Sequence, residues 1–241
     1  GMMPDSLEKA IRVALSQSKA PKFIYTIPTF QNPLGWEMSL RRRQAIVEIS
    51  QRYNVPILED DCYVDVRYEG TPITSLHSLD STGRVMYVAS FSKTIAPGMR
   101  IGYLTASSQL LDRVMSIKSG GGVNQFASLA VHHYAISHLD NHIINANKLL
   151  RIKRDAMVAA LGENLGTIAK WTNPSGGLFV WLEMPEGIDL VEIQEKALSA
   201  DVSYLPGPLF DPRGVNGKNC ARLCFGYNTP DEITEGIARL T

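Results

Sequence analysis

The chain lacks two features that would point to a membrane or to nucleic acid: a long apolar segment and an excess of charge. Its 241 residues include 24 lysine and arginine side chains and 24 aspartate and glutamate side chains, so the formal net charge at pH 7 is zero. Zero net charge gives no electrostatic attraction to nucleic acid or to an anionic membrane surface. No apolar run reaches the roughly 18 residues of a transmembrane helix, and the N-terminus lacks the apolar core of a signal peptide. We therefore expect neither a nucleic-acid nor a membrane partner.

Cysteine is also scarce and occurs only at Cys62, Cys220 and Cys224. Three cysteines do not form a disulfide framework, so the reducing cytoplasm is the compartment that fits best. Cys220 and Cys224 lie in a strand-like run and are interpreted as small core residues. His138 and His142 stand four apart, a spacing that a metal ion could use on a helix, but only Asp140 accompanies them. The sequence predicts no metal site, and these histidines are interpreted as ordinary helix residues.

The most informative segment runs from Ser90 to Arg100 and reads SFSKTIAPGMR. It follows the apolar run 85–89, which predicts a buried strand. A lysine at the end of a strand, flanked by hydroxyl groups and followed by an arginine, suits an aldehyde cofactor that carries a phosphate. Lys93 can form a Schiff base, while Ser90, Ser92 and Arg100 bind the phosphate. Taken alone, the segment also fits a surface loop with a solvated lysine.

Two more polar clusters follow apolar runs upstream. The first is IPTFQNPLG at 27–35, after the run 23–27, and the second is EDDCY at 59–63, after the run 55–58. Ligands of open α/β sheets bind outside the carboxyl ends of the strands. Three polar clusters at three successive strand ends therefore predict one pocket.

Together and in this order, the three segments resemble the pyridoxal 5'-phosphate (PLP) aminotransferases of fold type I, in the class I/II branch that includes aminoadipate and aromatic aminotransferases. Two later segments, PSGGLFVW at 174–181 and ARL at 221–223, extend the resemblance over nearly the whole chain. The resemblance implies a transaminase that moves an amino group between an amino acid and a 2-oxo acid, with PLP as cofactor. It also implies a homodimer.

The resemblance gives catalytic roles to three residues. Lys93 would form the Schiff base and then act as general base at the substrate Cα. Asp60 would pair with the protonated pyridine nitrogen and keep the ring an electron sink. The neighbouring Asp61 is the competing candidate, but the family places a tyrosine three residues after the ring-binding aspartate, and Tyr63 occupies that position relative to Asp60.

Binding roles follow in the same way. Asn32 and Tyr63 would hydrogen-bond the phenolic oxygen of the cofactor. Ser90, Ser92 and Arg100 would hold its phosphate, because an arginine supplies the fork of donors that such an anion favours. Arg222 would bind the α-carboxylate of the amino acid bidentately, with Asn32 also in the substrate site.

Helical patterns alternate with short apolar runs, which is typical of an α/β fold with a largely parallel sheet. The predicted strands are 23–27, 55–59, 85–89, 101–105, 178–183, 202–205 and 221–225. The predicted helices are 7–15, 39–53, a stretch from 108 onward, about 124–165 with a break near Asp140, 189–200 and 230–240. The strand at 101–105 is expected to be antiparallel, because its connection is too short for a helical crossover. Arg41, Arg42 and Arg43 are expected on a solvated helix face.

The resemblance implies an aspartate aminotransferase-like large domain over residues 2–140 and a small α+β C-terminal domain over residues 141–241. Relative to the family the chain is expected to be N-terminally truncated, because no glycine-rich phosphate-binding turn precedes Phe23. Two alternative functions stay open. One is a related PLP lyase, since Lys93, Asp60 and Asn32 serve a shared Cα deprotonation. The other is the effector domain of an aminotransferase-like transcription regulator, in which a DNA-binding domain precedes this unit.

Overall fold

A computed structural model describes all residues 1–241, which divide into two compact units. Unit 1 comprises residues 1–29, 37–65 and 71–143, and unit 2 comprises residues 30–36, 66–70 and 144–241. Each unit has its own hydrophobic core. No helix in the structure combines the length and the apolar character that a membrane crossing requires.

Unit 1 contains a four-stranded sheet in the order β1-β2-β3-β4. The strands are β1 Ile24–Thr26, β2 Ile57–Asp60, β3 Val85–Ser90 and β4 Gly102–Thr105. The first three are parallel, and β4 is antiparallel to β3. All four strands predicted in this part of the chain are confirmed, as is the antiparallel direction of the last. The connection from β3 to β4 holds only a loop and the 3₁₀ turn Pro97–Met99, too little chain for a helical crossover.

Unit 1 contains three helices and one short helical turn, and a further long helix begins in it. They are α1 Pro4–Ser16, α2 Leu40–Tyr53, α4 Ser108–Ile117 and α5 Gln125–Leu165, with the four-residue α3 Leu76–Leu79 between α2 and α4. The core of unit 1 joins apolar side chains of α1 and α2 to those of the sheet, such as Ile46 with Ile57 and Val85. Burial of this apolar surface is what holds these elements together.

Arg43 of α2 contradicts the prediction of a solvated face, because it is completely buried. Its Nη2 donates hydrogen bonds to the carbonyl oxygen of Pro28 at 3.2 Å and to the hydroxyl oxygen of Thr29 at 3.1 Å. Its Nε donates to the carbonyl oxygen of Met38 at 3.0 Å. A buried guanidinium is tolerated where its donors find such acceptors. The acceptors come from outside α2, so helical periodicity could not reveal them.

The helix α5 is continuous over 41 residues, so the predicted break near Asp140 is wrong. No glycine or proline occurs between Gln125 and Leu161. Asp140 has only a modest helix-propensity cost and is exposed, so it does not interrupt the backbone hydrogen bonds. Residues of α5 up to Ile143 belong to unit 1, and those from Ile144 belong to unit 2.

Unit 2 contains a second, antiparallel sheet in the order β5-β6-β8-β7. Its strands are β5 Lys170–Trp171, β6 Phe179–Glu183, β7 Leu205–Pro206 and β8 Cys220–Cys224. Its later helices are α6 Gln194–Ser199 and α7 Pro230–Leu240. The predicted strands at 178–183 and 221–225 and the helix at 230–240 are confirmed, and a side chain of Thr229 caps α7.

Two predictions in unit 2 are wrong in extent. The helix expected at 189–200 is present only as α6, because residues before it form a turn in which Oδ1 of Asp189 accepts a hydrogen bond from the amide of Val191 at 2.9 Å. A side chain that bonds nearby backbone amides favours a turn over a helix interior. The strand expected at 202–205 is reduced to β7, which overlaps it only at Leu205.

Candidate active-site residues

The polar clusters of unit 1 follow strand ends at one edge of the sheet. Strand β2 ends at Asp60 and the adjacent parallel strand β3 ends at Ser90, with Asp60 opposite Val88 in the register. Residues directly after adjacent parallel strands share the carboxyl edge, where α/β sheets bind ligands. Asp60 and the turn that carries Lys93 therefore lie at the same edge of unit 1.

Asp60 is half-buried and is oriented by Tyr25 of β1. The hydroxyl of Tyr25 donates a hydrogen bond to Oδ2 of Asp60 at 2.7 Å. Burial, together with this hydrogen bond to a carboxylate, raises the pKa of Tyr25 above its usual range. The thiol of Cys62 also lies near Asp60, and burial followed by the charge of Asp60 raises its pKa to about 12. Tyr25 and Cys62 thus stay neutral beside the carboxylate of Asp60. The contact of Tyr25 with Asp60 was not predicted from the sequence.

Asp61 has a different environment from Asp60. Its side chain is only 2% exposed, and Oδ2 accepts a hydrogen bond from the hydroxyl of Tyr87 at 3.3 Å. Burial raises the pKa of the Asp61 carboxyl group above its usual value. Along β2 the residues alternate between buried and half-buried, so consecutive side chains leave on opposite faces. Asp60 is the last residue of β2 and Asp61 follows the strand, and the two side chains differ in burial: Asp60 is half-buried, whereas Asp61 is almost completely buried.

The segment after β3 forms a compact turn with Lys93 exposed. The hydroxyl groups of Ser90 and Ser92 lie 3.0 Å apart and share a hydrogen bond, and the amide of Ser92 donates to Oγ of Ser90 at 3.1 Å. The turn is closed by the amide of Ile95, which donates to the carbonyl oxygen of Phe91 at 2.8 Å. The structure thus brings the two predicted phosphate-binding serines together next to the lysine.

Arg100 follows the 3₁₀ turn and adopts a left-handed backbone conformation with φ of 54°. Its Nη1 donates to the carbonyl oxygen of Pro97 at 3.3 Å, and the side chain is exposed. Tyr63, by contrast, is a buried core residue that is 5% exposed. Both belong to unit 1, along with Asp60 and Lys93.

The other two predicted site residues, Asn32 and Arg222, belong to unit 2 and meet there. Nη1 of Arg222 donates a hydrogen bond to Oδ1 of Asn32 at 2.8 Å. The guanidinium of Arg222 also lies over the ring of Phe179 at 4.1 Å and near that of Phe210 at 5.2 Å. Aromatic faces attract a cation and hold its plane in one orientation. A fixed planar guanidinium beside an amide is suited to bind a carboxylate.

The segment that carries Asn32 is held in place by a glycine pair. A Cβ atom on Gly176 would lie 2.2 Å from the ring of Phe30, so only glycine fits there. Gly177 has φ of +79°, a conformation that favours glycine, and its amide donates to the carbonyl oxygen of Val66 at 2.7 Å. The guanidinium of Arg67 lies 4.6 Å from the centre of the Phe30 ring on the same segment.

A buried arginine of α5 fixes the chain that leads into these glycines. Nη1 of Arg154 donates to the carbonyl oxygen of Pro174 at 2.6 Å and to Oδ1 of Asn173 at 3.0 Å. The same side chain forms an ion pair with Glu69 and lies over the ring of Tyr68 at 5.5 Å. Sequence reasoning missed Arg154, because its partners are distant in the chain and no local pattern marks them.

The chain is similar in sequence to a known protein family and to individual members of it. The profile of the family described as aminotransferase class I and II matches residues 2–240. The aromatic-amino-acid aminotransferase 1 of Thermococcus litoralis is 39% identical over 244 residues, which cover 100% of this chain and 58% of that protein. The uncharacterized HTH-type transcriptional regulator YisV of Bacillus subtilis is 30% identical over 95% of this chain and 48% of its own length.

The fold has a close match among solved structures. The kynurenine aminotransferase of Pyrococcus horikoshii, solved in complex with PMP, superimposes with a TM-score of 0.93 at 37% identity. The match covers 100% of this chain and 60% of that one, so the chain spans less than two thirds of the length of these relatives. The predicted α/β fold of the aspartate aminotransferase type is confirmed. PMP is the amino form of PLP, so the predicted cofactor is confirmed for this group of proteins.

Proposed function

Because the chain belongs to the class I and II aminotransferases, we propose that it serves PLP-dependent transamination between an amino acid and a 2-oxo acid. One observation carries the proposal: Asp60 ends one strand, and the Lys93 turn follows the adjacent parallel strand, at one sheet edge. The paired hydroxyls of Ser90 and Ser92 lie beside that lysine. An amine, a carboxylate and an anion-binding pair are the three groups that the cofactor's aldehyde, ring nitrogen and phosphate require.

When bound, PLP supplies an electron sink for the electrons released at the substrate Cα. The residues of this chain supply the rest. Nζ of Lys93 would hold the cofactor's aldehyde covalently, with loss of water. Once the substrate's amino group has taken its place, the freed amine of Lys93 would take the proton from Cα and return it. The carboxylate of Asp60, which accepts a hydrogen bond from the hydroxyl of Tyr25, would keep the ring nitrogen protonated. The burial of Asp61 and its raised pKa support Asp60 for this role.

The remaining roles are those that the resemblance gives. Ser90, Ser92 and Arg100 bind the phosphate, and Asn32 and Tyr63 hydrogen-bond the phenolic oxygen of the cofactor. Arg222 binds the α-carboxylate of the amino acid. The hydrogen bond between Arg222 and Asn32 supports this last role, since it holds the guanidinium in one plane while leaving donors for an incoming carboxylate.

Covalent trapping tests the proposal. The purified chain is mixed with a slight excess of PLP and reduced with borohydride, and the modified peptide is identified by mass spectrometry. We expect the pyridoxyl group on Lys93, and we expect Lys93→Ala to lose it while the matched surface variant Lys118→Ala keeps it. A label spread over Lys118, Lys148 and Lys153, with Lys93 unmodified, would refute the assignment.

Two other functions are separated by the fate of the cofactor after an amino acid is added. A transaminase converts PLP to one equivalent of pyridoxamine phosphate, whereas a related lyase regenerates PLP. The similarity to the regulator YisV favours an effector domain as the second candidate. An effector domain would bind PLP at Lys93 but would release no 2-oxo acid on addition of amino acids.

We also propose a homodimer in the cytoplasm, with domains at residues 2–140 and 141–241. All three cysteines are free, which fits a reducing compartment. Helix α4 buries no residue, and large apolar side chains of this region are exposed, including Ile117 at 81% and Phe126 at 88%. Apolar side chains exposed in one region indicate an interaction surface. Light scattering of the purified chain tests the dimer, and a monomer at all concentrations would argue against it.

A further inference from the structure

His142 of α5 contacts the turn that carries Lys93, although 48 residues separate it from its partner there. Its Nε2 lies 2.8 Å from the carbonyl oxygen of Thr94, the residue after Lys93. Its Nδ1 lies 2.9 Å from the hydroxyl oxygen of Tyr134, two turns earlier on the same helix. All of these residues belong to unit 1.

The direction of these hydrogen bonds follows from the chemistry of the groups. A backbone carbonyl oxygen only accepts, so Nε2 of His142 carries the proton and donates to Thr94. In the neutral ring Nδ1 is then an acceptor, and the hydroxyl of Tyr134 donates to it. Tyr134 thereby fixes both the tautomer and the orientation of the imidazole.

Thr94 is held on its other side as well. Its Oγ1 donates to Oδ2 of Asp65 at 3.3 Å, and the residue is 9% exposed. The amide of Ile95 closes the turn on Phe91. Lys93 itself is exposed, so its backbone is anchored through its neighbours while its side chain is left to react.

We propose that His142, oriented by Tyr134, is a positioning residue that fixes the Lys93 turn for attachment of the cofactor. The proposal rests on the proposed role of Lys93. A lysine side chain has four flexible bonds, so a fixed backbone limits the space that Nζ can sample and favours the geometry of the covalent bond. Without the hydrogen bond from His142, the carbonyl of Thr94 turns to solvent and the turn samples more conformations.

The test compares His142→Leu, His142→Gln and Tyr134→Phe with the natural chain and with the control His133→Leu. The control removes His133, an exposed histidine of the same helix. Its ring packs against that of His132. His142→Gln retains an N–H donor for the Thr94 carbonyl. Tyr134→Phe removes a single hydroxyl from a partly exposed side chain, so it keeps the test informative if His142→Leu does not fold.

The first measurement needs no cofactor. Hydrogen exchange of the chain alone, followed on the peptide over residues 91–96, reports the opening of the turn. We expect His142→Leu to speed this exchange by about fivefold to tenfold, the factor that corresponds to the loss of one net hydrogen bond. His142→Gln should restore most of the protection, Tyr134→Phe should lie between, and His133→Leu should match the natural chain.

The second measurement is the fraction of Lys93 trapped by borohydride at a PLP concentration below saturation. We expect the same order of variants, with labelling of an exposed lysine such as Lys148 unchanged. Exchange and trapping of His142→Leu equal to the natural chain would overturn the proposal. Equal loss of protection throughout α5 would overturn it too, because His142 would then only stabilise the fold. If Lys93 of the natural chain is never trapped, the role of Lys93 fails, and the exchange data alone decide whether His142 fixes the turn.

Discussion

Arg222 donates a hydrogen bond to Asn32 at 2.8 Å although the two residues are 190 positions apart in the chain. The contact joins strand β8 to the Asn-Pro segment, two regions that the family resemblance assigned to one substrate site. Both residues have plausible structural roles when considered alone. Their contact is what makes a carboxylate-binding pair the better interpretation.

Arg222→Ala should weaken the binding of every substrate that carries an α-carboxylate. Removal of one partner of such a charge pair costs about 2–5 kcal/mol. The loss should appear in kcat/KM for all amino acids tested, while amines without a carboxylate should be nearly unaffected. Arg222→Lys is the informative companion, because a lysine keeps the charge but not the planar fork. Equal losses for amines and amino acids would mean that Arg222 is structural.

Asp60→Asn should lower the rate of transamination by orders of magnitude, because an amide does not keep the ring nitrogen protonated. Asp61→Asn should be much milder for the rate, since the side chain of Asp61 is almost completely buried and accepts a hydrogen bond from Tyr87. Single-turnover conversion of PLP to pyridoxamine phosphate measures both. The opposite ranking would show that the ring-binding position is wrong by one residue.

Arg154→Met should destabilise unit 2 by about 2–3 kcal/mol, because a buried hydrogen bond to Pro174 and a partly buried one to Asn173 are lost. The ion pair with Glu69 adds little to this figure, as that carboxylate is partly exposed. The matched control is Arg151→Ala on the same helix, whose side chain is 55% exposed and 3.6 Å from Glu69. Its effect should stay within about 0.5 kcal/mol in urea unfolding. Equal effects of the two variants would contradict the role given to Arg154.

Glu59 should make stability depend on pH. Burial raises its pKa from 4.5 to about 7, against the opposing effect of hydrogen bonds from the amides of His77 and Leu76. The folded state therefore keeps a proton that the unfolded state has lost, so stability is full below pH 4.5 and falls as the pH rises to about 7. The fall amounts to at most about 3 kcal/mol. Urea unfolding between these pH values should show a weaker dependence for Glu59→Gln, and parallel curves would refute this origin.

The sequence was sufficient for the strands of unit 1 because each is a short apolar run followed by polar residues. Asp60 and Lys93 became candidates because they lie in polar segments that follow these runs, and the family resemblance supplied the roles proposed for them. Strands β6 and β8 of unit 2 were predicted on the same basis, whereas the two-residue strand β5 was not predicted. The predicted break in α5 near Asp140 is wrong because exposed polar residues are compatible with a helix interior.

The residues that sequence reasoning missed act through contacts distant in the chain. Arg43 resembles its exposed neighbours in sequence, and only the carbonyl groups of Pro28 and Met38 explain its burial. His142 had been noted only for a spacing suited to metal binding, whereas its partner is a backbone carbonyl that no sequence pattern marks. Tyr25 is one of several aromatic residues in strands. Its hydrogen bond to Asp60 depends on the register of β1 and β2, which the sequence does not reveal.

Gly176 has a consequence for anyone who wishes to alter substrate preference by mutagenesis. The ring of Phe30 occupies the space that a side chain at position 176 would need, and Phe30 lies two residues before Asn32. A library built only from residues expected to touch a ligand would omit position 176. Yet even an alanine there should displace the Asn32 segment and with it the amide beside Arg222. The proposed carboxylate-binding pair is thus tied to a residue that contributes no functional group.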